Sequence, residues 1–376
     1  MYEMGAELAV NPVKINLRQF KILVILFTVG TTILITPAGL AAEIGQDAWM
    51  APIAAMAPGL LLVLLYNGIH RAAPGMTIVE ISESLFGTWI GKGLALLFVL
   101  FSFFAAALVL FDVGQFIITV LMPETPLPFV NALFALLLLY AIGSGFDTLA
   151  RMTELLFPWF ALLFLFMVAL MLPQIDVRNV QPFLEAGPKE LAHSVLVVLS
   201  LSYMPLAVFL MIQPVELTNA RKAPRAFAGA VLIGGILSSV VTALTILVLG
   251  ANVTSLQEYP VYSLAQRISI GKFLERVEAI AAGLWLITTF MKMSLYFYAS
   301  VSGLVRLARL PSHRGILLPM VALLVVISVK VFPNSAAEYQ FTATIWIIIV
   351  FTAGVAIPLL LFIGLMIKRR THEGGQ

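Results

Sequence analysis

Lys292 stands inside the apolar run Leu286-Ile287-Thr288-Thr289-Phe290-Met291-Lys292-Met293-Ser294-Leu295-Tyr296. An ammonium at membrane depth is costly, so it marks a functional position by default. Thr288, Thr289, Lys292 and Tyr296 recur three or four residues apart, which on a helix gathers them into one polar stripe. About a dozen residues separate Lys292 from the end of its run, too many for the side chain to snorkel easily into water. Asp112 is the other ionisable candidate. It suits the lining of an outer vestibule or the cap of an ion route, and a hydrated helix end accounts for it nearly as well.

Two stretches of weak helix accompany these charges. Thr28-Val29-Gly30-Thr31-Thr32-Ile33-Leu34-Ile35-Thr36-Pro37-Ala38-Gly39 mixes glycine, threonine and proline, and Pro37 cannot donate to the Ile33 carbonyl. The second is Leu199-Ser200-Leu201-Ser202-Tyr203-Met204-Pro205, interrupted at Pro205. Backbone groups freed in hydrocarbon are tolerated where they line a polar cavity. Gly30, Thr31 and Thr32, with Ser200, Ser202 and Tyr203 opposite, become candidates to hold a small zwitterion. N–H groups around Thr31 and Thr32 would face its carboxylate, and unwound carbonyls would accept from its ammonium. Thr288 and Thr289, on the Lys292 stripe, join the candidate set. Simple proline kinks satisfied by threonine hydroxyls are the alternative. Two breaks at corresponding places favour binding.

Other chemistry is poorly provided for. There is no cysteine, which excludes disulfides, thiol catalysis and cysteine-held metals. His70, His193, His313 and His372 are isolated, so no metal site is expected. No nucleophile–base constellation or phosphate-cradling glycine loop stands at usable spacing, and neither catalysis nor a cofactor is expected. The net charge is +3, but the cations are scattered over many loops without interleaved aromatics; that suits anionic lipid and not nucleic acid. Glu43, Asp47 and Trp49, like His70, Arg71, Glu80 and Glu83, read as ordinary interfacial residues.

Positioning such groups requires a membrane domain. Of the 376 residues 61% are apolar and 11% charged, a balance that needs lipid around it and leaves one membrane domain filling the chain. Runs of about 20 apolar residues predict ten spans: Gln19–Glu43, Ala48–Ile69, Lys92–Leu121, Pro126–Gly145, Thr153–Leu172, Leu191–Ile212, Ala226–Ala251, Leu274–Val305, Gly315–Phe332 and Ala337–Ile367. With both termini cytoplasmic, about 15 lysines and arginines fall inside and about 6 outside, the expected bias. Residues 1–18 form a cytoplasmic stub without the order of a signal peptide, and 368–376 a cytoplasmic tail.

The halves 19–172 and 191–367 share a rhythm of a proline-interrupted first helix, a long third and a short fourth. Five is odd, so the second half crosses in the opposite sense. The expected fold is all-α integral membrane, about ten helices in a 5+5 inverted repeat with helices 1 and 6 broken, an architecture many secondary transporters use. In such transporters span 8 approaches the broken part of span 1, where some hold sodium. Lys292 is expected to stand in for that ion, bonding unwound carbonyls near Gly30. Asp112 and Lys292 differ in expected depth by on the order of 10 Å, so no direct pair between them is expected.

The stretch Gly30-Thr31-Thr32-Ile33 through Pro37, then Ala42-Glu43-Ile44-Gly45-Gln46-Asp47-Ala48-Trp49, resembles the opening helix of the amino acid–polyamine–organocation superfamily, in particular the B subunit of bacterial spore germinant receptors. Pro74-Gly75-Met76-Thr77-Ile78-Val79-Glu80 with Gly87 and Gly91, and Arg276-Val277-Glu278-Ala279-Ile280 leading to Trp285 and Lys292, extend the resemblance over nearly the whole chain. It implies a leucine-transporter-type fold that binds a small nutrient, often an amino acid such as L-alanine, at the breaks of spans 1 and 6. It further implies partnership with an ion-channel-forming A subunit and a lipoprotein C subunit in the spore inner membrane, binding being the trigger for germination. Phe101, Phe104 and Ala105 on span 3 are the expected apolar wall of that pocket. One departure stands out. Superfamily transporters often carry glycine and glutamate in the span 6 break, whereas this chain has Tyr203-Met204-Pro205, with Glu216 only beyond the helix. Sensing is favoured over coupled transport; an amino-acid permease using the same pocket is the alternative, and a structural subunit with a vestigial pocket a third.

Overall fold

The computed structural model of the chain describes residues 15–212, 222–267 and 277–373, with side chains as far as Arg369. The stub before Ile15, Glu216 and Arg276, all invoked above, lie outside the described residues.

Helix boundaries follow from local chemistry. Asn16 caps α1 (Leu17–Val29): its side chain accepts from the Gln19 N–H at 2.8 Å, and the Gln19 side chain accepts from the Asn16 N–H at 3.0 Å. Gly30 stops α1 with φ 36, a left-handed backbone that favours glycine. α2 (Thr32–Ile44) resumes at once and keeps Pro37 within it. After a tight 3-10 turn at Gly45–Trp49 the chain returns as α3 (Met50–Ala72). α4 (Ile78–Phe116) opens on a Thr77–Glu80 capping box, kinks at Gly87 and ends in a π-helical turn, Ile117–Leu121. α5 (Leu127–Gly143) and α6 (Phe146–Met171) complete the first half.

In the second half α7 (Pro188–Val198) runs into a π-helical turn at Leu199–Tyr203 and a 3-10 turn at Met204–Val208, then α8 (Phe209–Ile212). α9 (Ala223–Leu249) is followed by two short helices that hydropathy did not announce, α10 (Ala251–Leu256) and α11 (Pro260–Arg267). α12 (Val277–Leu307) and α13 (Arg314–Lys330) come next. α14 (Ser335–Ala343), α15 (Ile345–Phe351), a π-helical turn at Thr352–Ala356 and α16 (Ile357–Glu373) close the chain.

The core is built around α1, which is packed between α9 and α12, while α12 lies along α4. Aromatic edges lock this centre: the Phe20 ring meets Phe209 at 5.7 Å and Phe227 at 5.6 Å, and Phe27 meets Phe209 at 5.6 Å and Tyr296 at 5.1 Å between centroids. By contrast α5 and α6 expose Leu133, Leu136, Leu137, Trp159, Leu162 and Leu165, the surface an acyl-chain solvent calls for. At the end where α1 begins, Arg306 of α12 donates to Glu80 of α4 at 2.6 Å.

By length and apolarity, seven helices among the described residues can cross a membrane, or eight when α13 and α14 count as one bent span. Ten were expected. The difference has two physical sources: Leu17–Ala72 is a single 56-residue run of helix covering the expected first and second spans, and α5, the expected fourth, is only 17 residues long. The expected last span, Ala337–Ile367, needs correction. Its first residues belong to α14, bent by 100° from α13, and the crossing segment is Ile345–Arg369. Asn334 caps the start of α14 by accepting from the Ala337 N–H at 2.9 Å, and Thr344, at φ -128 and ψ -77, ends α14 so that the crossing helix begins afresh at Ile345.

Tyr66 of α3 ties the irregular turns of the second half together. Its hydroxyl lies 2.6 Å from the Gly354 carbonyl and 3.0 Å from the Met204 carbonyl, fully buried. Tyr66→Phe leaves both carbonyls without that donor, an expected loss of about 1–3 kcal/mol, to be read as a lowered unfolding temperature of the purified protein in detergent.

Candidate functional site

The first break spans Gly30 and Thr31, and its carbonyls are taken by side chains of α12. The Thr288 hydroxyl donates to the Gly30 carbonyl at 3.0 Å, and the Trp285 indole N–H to the Thr31 carbonyl at 3.3 Å. The second break spans Leu199–Val208. There the Trp346 indole N–H donates to the Ser200 carbonyl at 3.2 Å, and Lys292 Nζ to the Leu201 carbonyl at 2.7 Å. Lys292 Nζ also reaches Thr31 Oγ1 at 3.5 Å and sits 5.6 Å from the centroid of the Phe27 ring. Thr32 and Ser202 hydrogen-bond each other at 2.9 Å. One ammonium and one hydroxyl pair therefore join the two breaks directly. Gly30 is required here twice over: a Cβ would run into the Lys292 stem, and its φ is positive.

Lys292 was expected to bond carbonyls near Gly30. Its carbonyl partner belongs instead to the second break, because Thr288 and Trp285 already occupy the carbonyls of the first.

Above this junction lies a cavity of about 720 Å³. Thr31, Leu201, Lys292, Ala105, Tyr296 and Trp346 line its deep part. Its upper walls come from α2, α10, the α10–α11 linker and α14, with Glu43 and His193 among the lining residues. The Glu43 carboxylate holds His193 Nδ1 and accepts from the Ser194 hydroxyl at 2.9 Å, fastening α7 to the end of α2. Just beyond, buried Asp47 accepts from the Leu184 and Ala186 N–H groups at 3.0 and 2.9 Å. Glu43 and Asp47 are thus clamps on the segment leading into the second break, more than ordinary interfacial residues.

The remaining expected residues divide. Phe101 stacks on Trp346 at 5.8 Å beneath the cavity, and Phe104 meets Phe341 at 5.9 Å. Ser200 turns its hydroxyl back onto the Val197 carbonyl, and Thr289 is buried in α12. Tyr203 points away from the cavity. Its ring and hydroxyl fill the space over Gly59 of α3 and Gly235 of α9, where any Cβ would collide. Pro37 is buried within α2, and Pro205 opens the 3-10 turn that follows the second π-helical turn. Asp112 does line the cavity, and its carboxyl group faces that of Glu338 on α14 instead of pairing with Lys292. Glu258, Glu338 and Trp346 are lining residues that sequence reasoning missed. The carboxylate of Glu338 beside the cap residue Asn334 was the available signal.

The spore germination protein family matches residues 14–336. The chain belongs to this family. Spore germination protein KB of Bacillus subtilis (strain 168) is 30% identical over 96% of each chain. Spore germination protein A2 of the same organism is 22% identical, covering 96% of this chain and 98% of its own length. Among solved structures, a nucleobase-cation-symport-1 family transporter, closed with bromovinylhydantoin bound, is similar with a TM-score of 0.61 at 15% identity, covering 95% of this chain and 92% of its own. A manganese transporter of Eremococcus coleocola is similar at a TM-score of 0.50 and 15% identity, covering 89% and 78%. These likenesses establish the fold. This spore germination protein is an integral membrane protein with the leucine-transporter-type arrangement expected from its opening helix.

In the spore germination protein, Lys292→Met keeps the stem and removes every donor. Losing a charge-assisted bond worth about 1.5–3 kcal/mol should speed amide exchange at both breaks by roughly tenfold or more. Hydrogen exchange read by mass spectrometry on peptides covering Thr28–Ile33 and Ser200–Pro205 checks this; acceleration at one break alone would show that Lys292 does not join them.

Proposed function

We propose that this chain is the nutrient-sensing subunit of a spore germinant receptor, and that a small amino acid enters the cavity and settles on the junction of the two breaks. The observation that carries the reading is Lys292, one ammonium bonded at once to Thr31 and Leu201 on the deep wall of an open cavity. A ligand carboxylate placed beside the start of α2 meets the N–H groups of a helix N-terminus, and Thr31 with Lys292 stands next to it. Phe101, under Trp346 and Tyr296, supplies the apolar backing. L-alanine is the ligand to test first, as the small nutrient that the family resemblance implies, and Ala105, Tyr296 and Trp346 line the cavity with Thr31 and Lys292.

The proposed site consists of Gly30, Thr31, Thr32, Ala105, Phe101, Ser202, Thr288 and Lys292. The cavity lies away from the end carrying Arg306, and with the lysine and arginine bias this supports a mouth facing outside and both termini in the cytoplasm. In the spore inner membrane the subunit would pass its change of state to an A subunit and a C lipoprotein. A ligand can drive that change only by binding one state better than the other, and a bridge between two broken helices is an element whose geometry differs between states.

Two measurements test the proposal. Purified chain should be stabilised against heat by L-alanine, and Thr31→Val should weaken that binding about tenfold by removing one hydroxyl contact while leaving protein abundance unchanged. In proteoliposomes the chain alone should show no counterflow of labelled L-alanine. Robust counterflow would make the chain a permease using the same pocket, and absence of any stabilisation by small amino acids would remove the ligand from the site.

A further inference from the structure

Apart from its deep junction, the cavity has a second polar region. Four carboxyl groups line the cavity, Glu43, Asp112, Glu258 and Glu338, against one lysine and one histidine. Glu43 is committed to His193 and Ser194, which leaves three. Asp112, on α4, is nine-tenths buried, and its Oδ1 has no hydrogen-bond donor among the described residues. Its carboxyl group lies within hydrogen-bonding range of Glu338 from α14, with Glu258 of the α10–α11 linker close enough to act on Glu338 electrostatically. Two carboxylates in contact repel unless a proton or a cation stands between them.

The surroundings say which cation fits. No group of three or more acidic or histidine side chains among the described residues is arranged to hold a metal ion. Tyr259, Tyr296 and Phe332 line the same cavity, and aromatic faces attract organic ammonium groups. A primary ammonium offers three N–H donors, which matches the carboxyl oxygens that Asp112 and Glu338 bring together from α4 and α14.

We propose that Asp112 and Glu338, assisted by Glu258, form a subsite for a primary ammonium group, separate from the Lys292 junction. The subsite gives the cavity two chemically opposite regions: donors at the helix breaks, acceptors between α4 and α14. A small organic ammonium ion alone fills it, and so does the amino group of a larger molecule whose remainder lies in the cavity. The assignment does not depend on an amino acid reaching the junction. Its test uses a probe with no carboxylate, so failure here leaves the nutrient proposal standing, and the reverse also holds.

The full chain in detergent is titrated with methylammonium chloride while its unfolding temperature is followed, with tetramethylammonium, sodium and potassium chlorides at matched concentration alongside. The expected result is a saturable rise with methylammonium that the other three salts do not reproduce. Apparent affinity should fall about tenfold in Asp112→Asn and in Glu338→Gln, the loss of one charge-assisted hydrogen bond in each. A second measurement needs no variant: the infrared difference spectrum of the unsubstituted protein on adding methylammonium should show changes in the carboxyl bands. Equal stabilisation by all four salts, a rise with sodium or potassium alone, an undiminished response in both variants, or a flat carboxyl region each overturns the assignment.

Discussion

A buried ammonium must be given acceptors, and in this protein they are supplied by two different helices that have both lost their regular form. Bringing Lys292 out of water costs several kcal/mol before any contact is made. The Leu201 carbonyl at 2.7 Å, the Thr31 hydroxyl at 3.5 Å and the face of Phe27 offset that cost only if α1, α7 and α12 hold one relative position. Glycine at position 30 lets the lysine stem pass and also adopts the positive φ that ends α1. Remove the ammonium and, among the described residues, the hydrogen bond of Thr32 with Ser202 is what still links polar groups of the two breaks.

The same logic extends outward from the junction. A π-helical or 3-10 turn leaves carbonyls without their usual partners, and in a lipid-bound bundle water cannot routinely supply them. Side chains on neighbouring helices do so here: Thr288 and Trp285 from α12, Trp346 from α15, Tyr66 from α3. Each donor is a rigid aromatic or a short hydroxyl, so small displacements of one helix are felt by its neighbour. The broken segments are in this sense the places where the surrounding helices are coupled, and the cavity opens directly onto them.

Much of this was legible in the residues. Gly30, the threonines after it and Pro205 gave away the two breaks through poor helix propensity, and Lys292 declared itself by standing in an apolar run. Their convergence could be anticipated because a charge in hydrocarbon has few partners to choose from. Other features left no such mark. Tyr203 looked like a pocket residue because it sits in a break, but a π-helical turn rotates each following side chain, and the space over Gly59 and Gly235 took it instead. α10 and α11 are six and eight residues long, too short for periodicity to distinguish them from a loop. Glu338 was hidden inside what read as one continuous last span, and what separates α14 from that span is a single residue, Thr344, whose backbone leaves helical geometry. Single-residue choices of that kind lie below the resolution of hydropathy.

Whether such a junction serves sensing or transport depends on the opposite end of the bundle. Arg306 with Glu80 ties α12 to α4 there, and Arg309, just past α12, adds Glu83, but partly exposed ion pairs contribute about 1 kcal/mol or less each. The stronger closure is aromatic. Phe20, Phe27, Phe209 and Phe227 are all fully buried and interlocked edge to face, each pair worth about 0.5–1.5 kcal/mol beyond its apolar area. A transporter has to part this layer in every cycle and wet its faces. Under the sensing proposal α1 and α8 have only to shift within it, which keeps the rings out of water, and such a displacement costs less than a full opening.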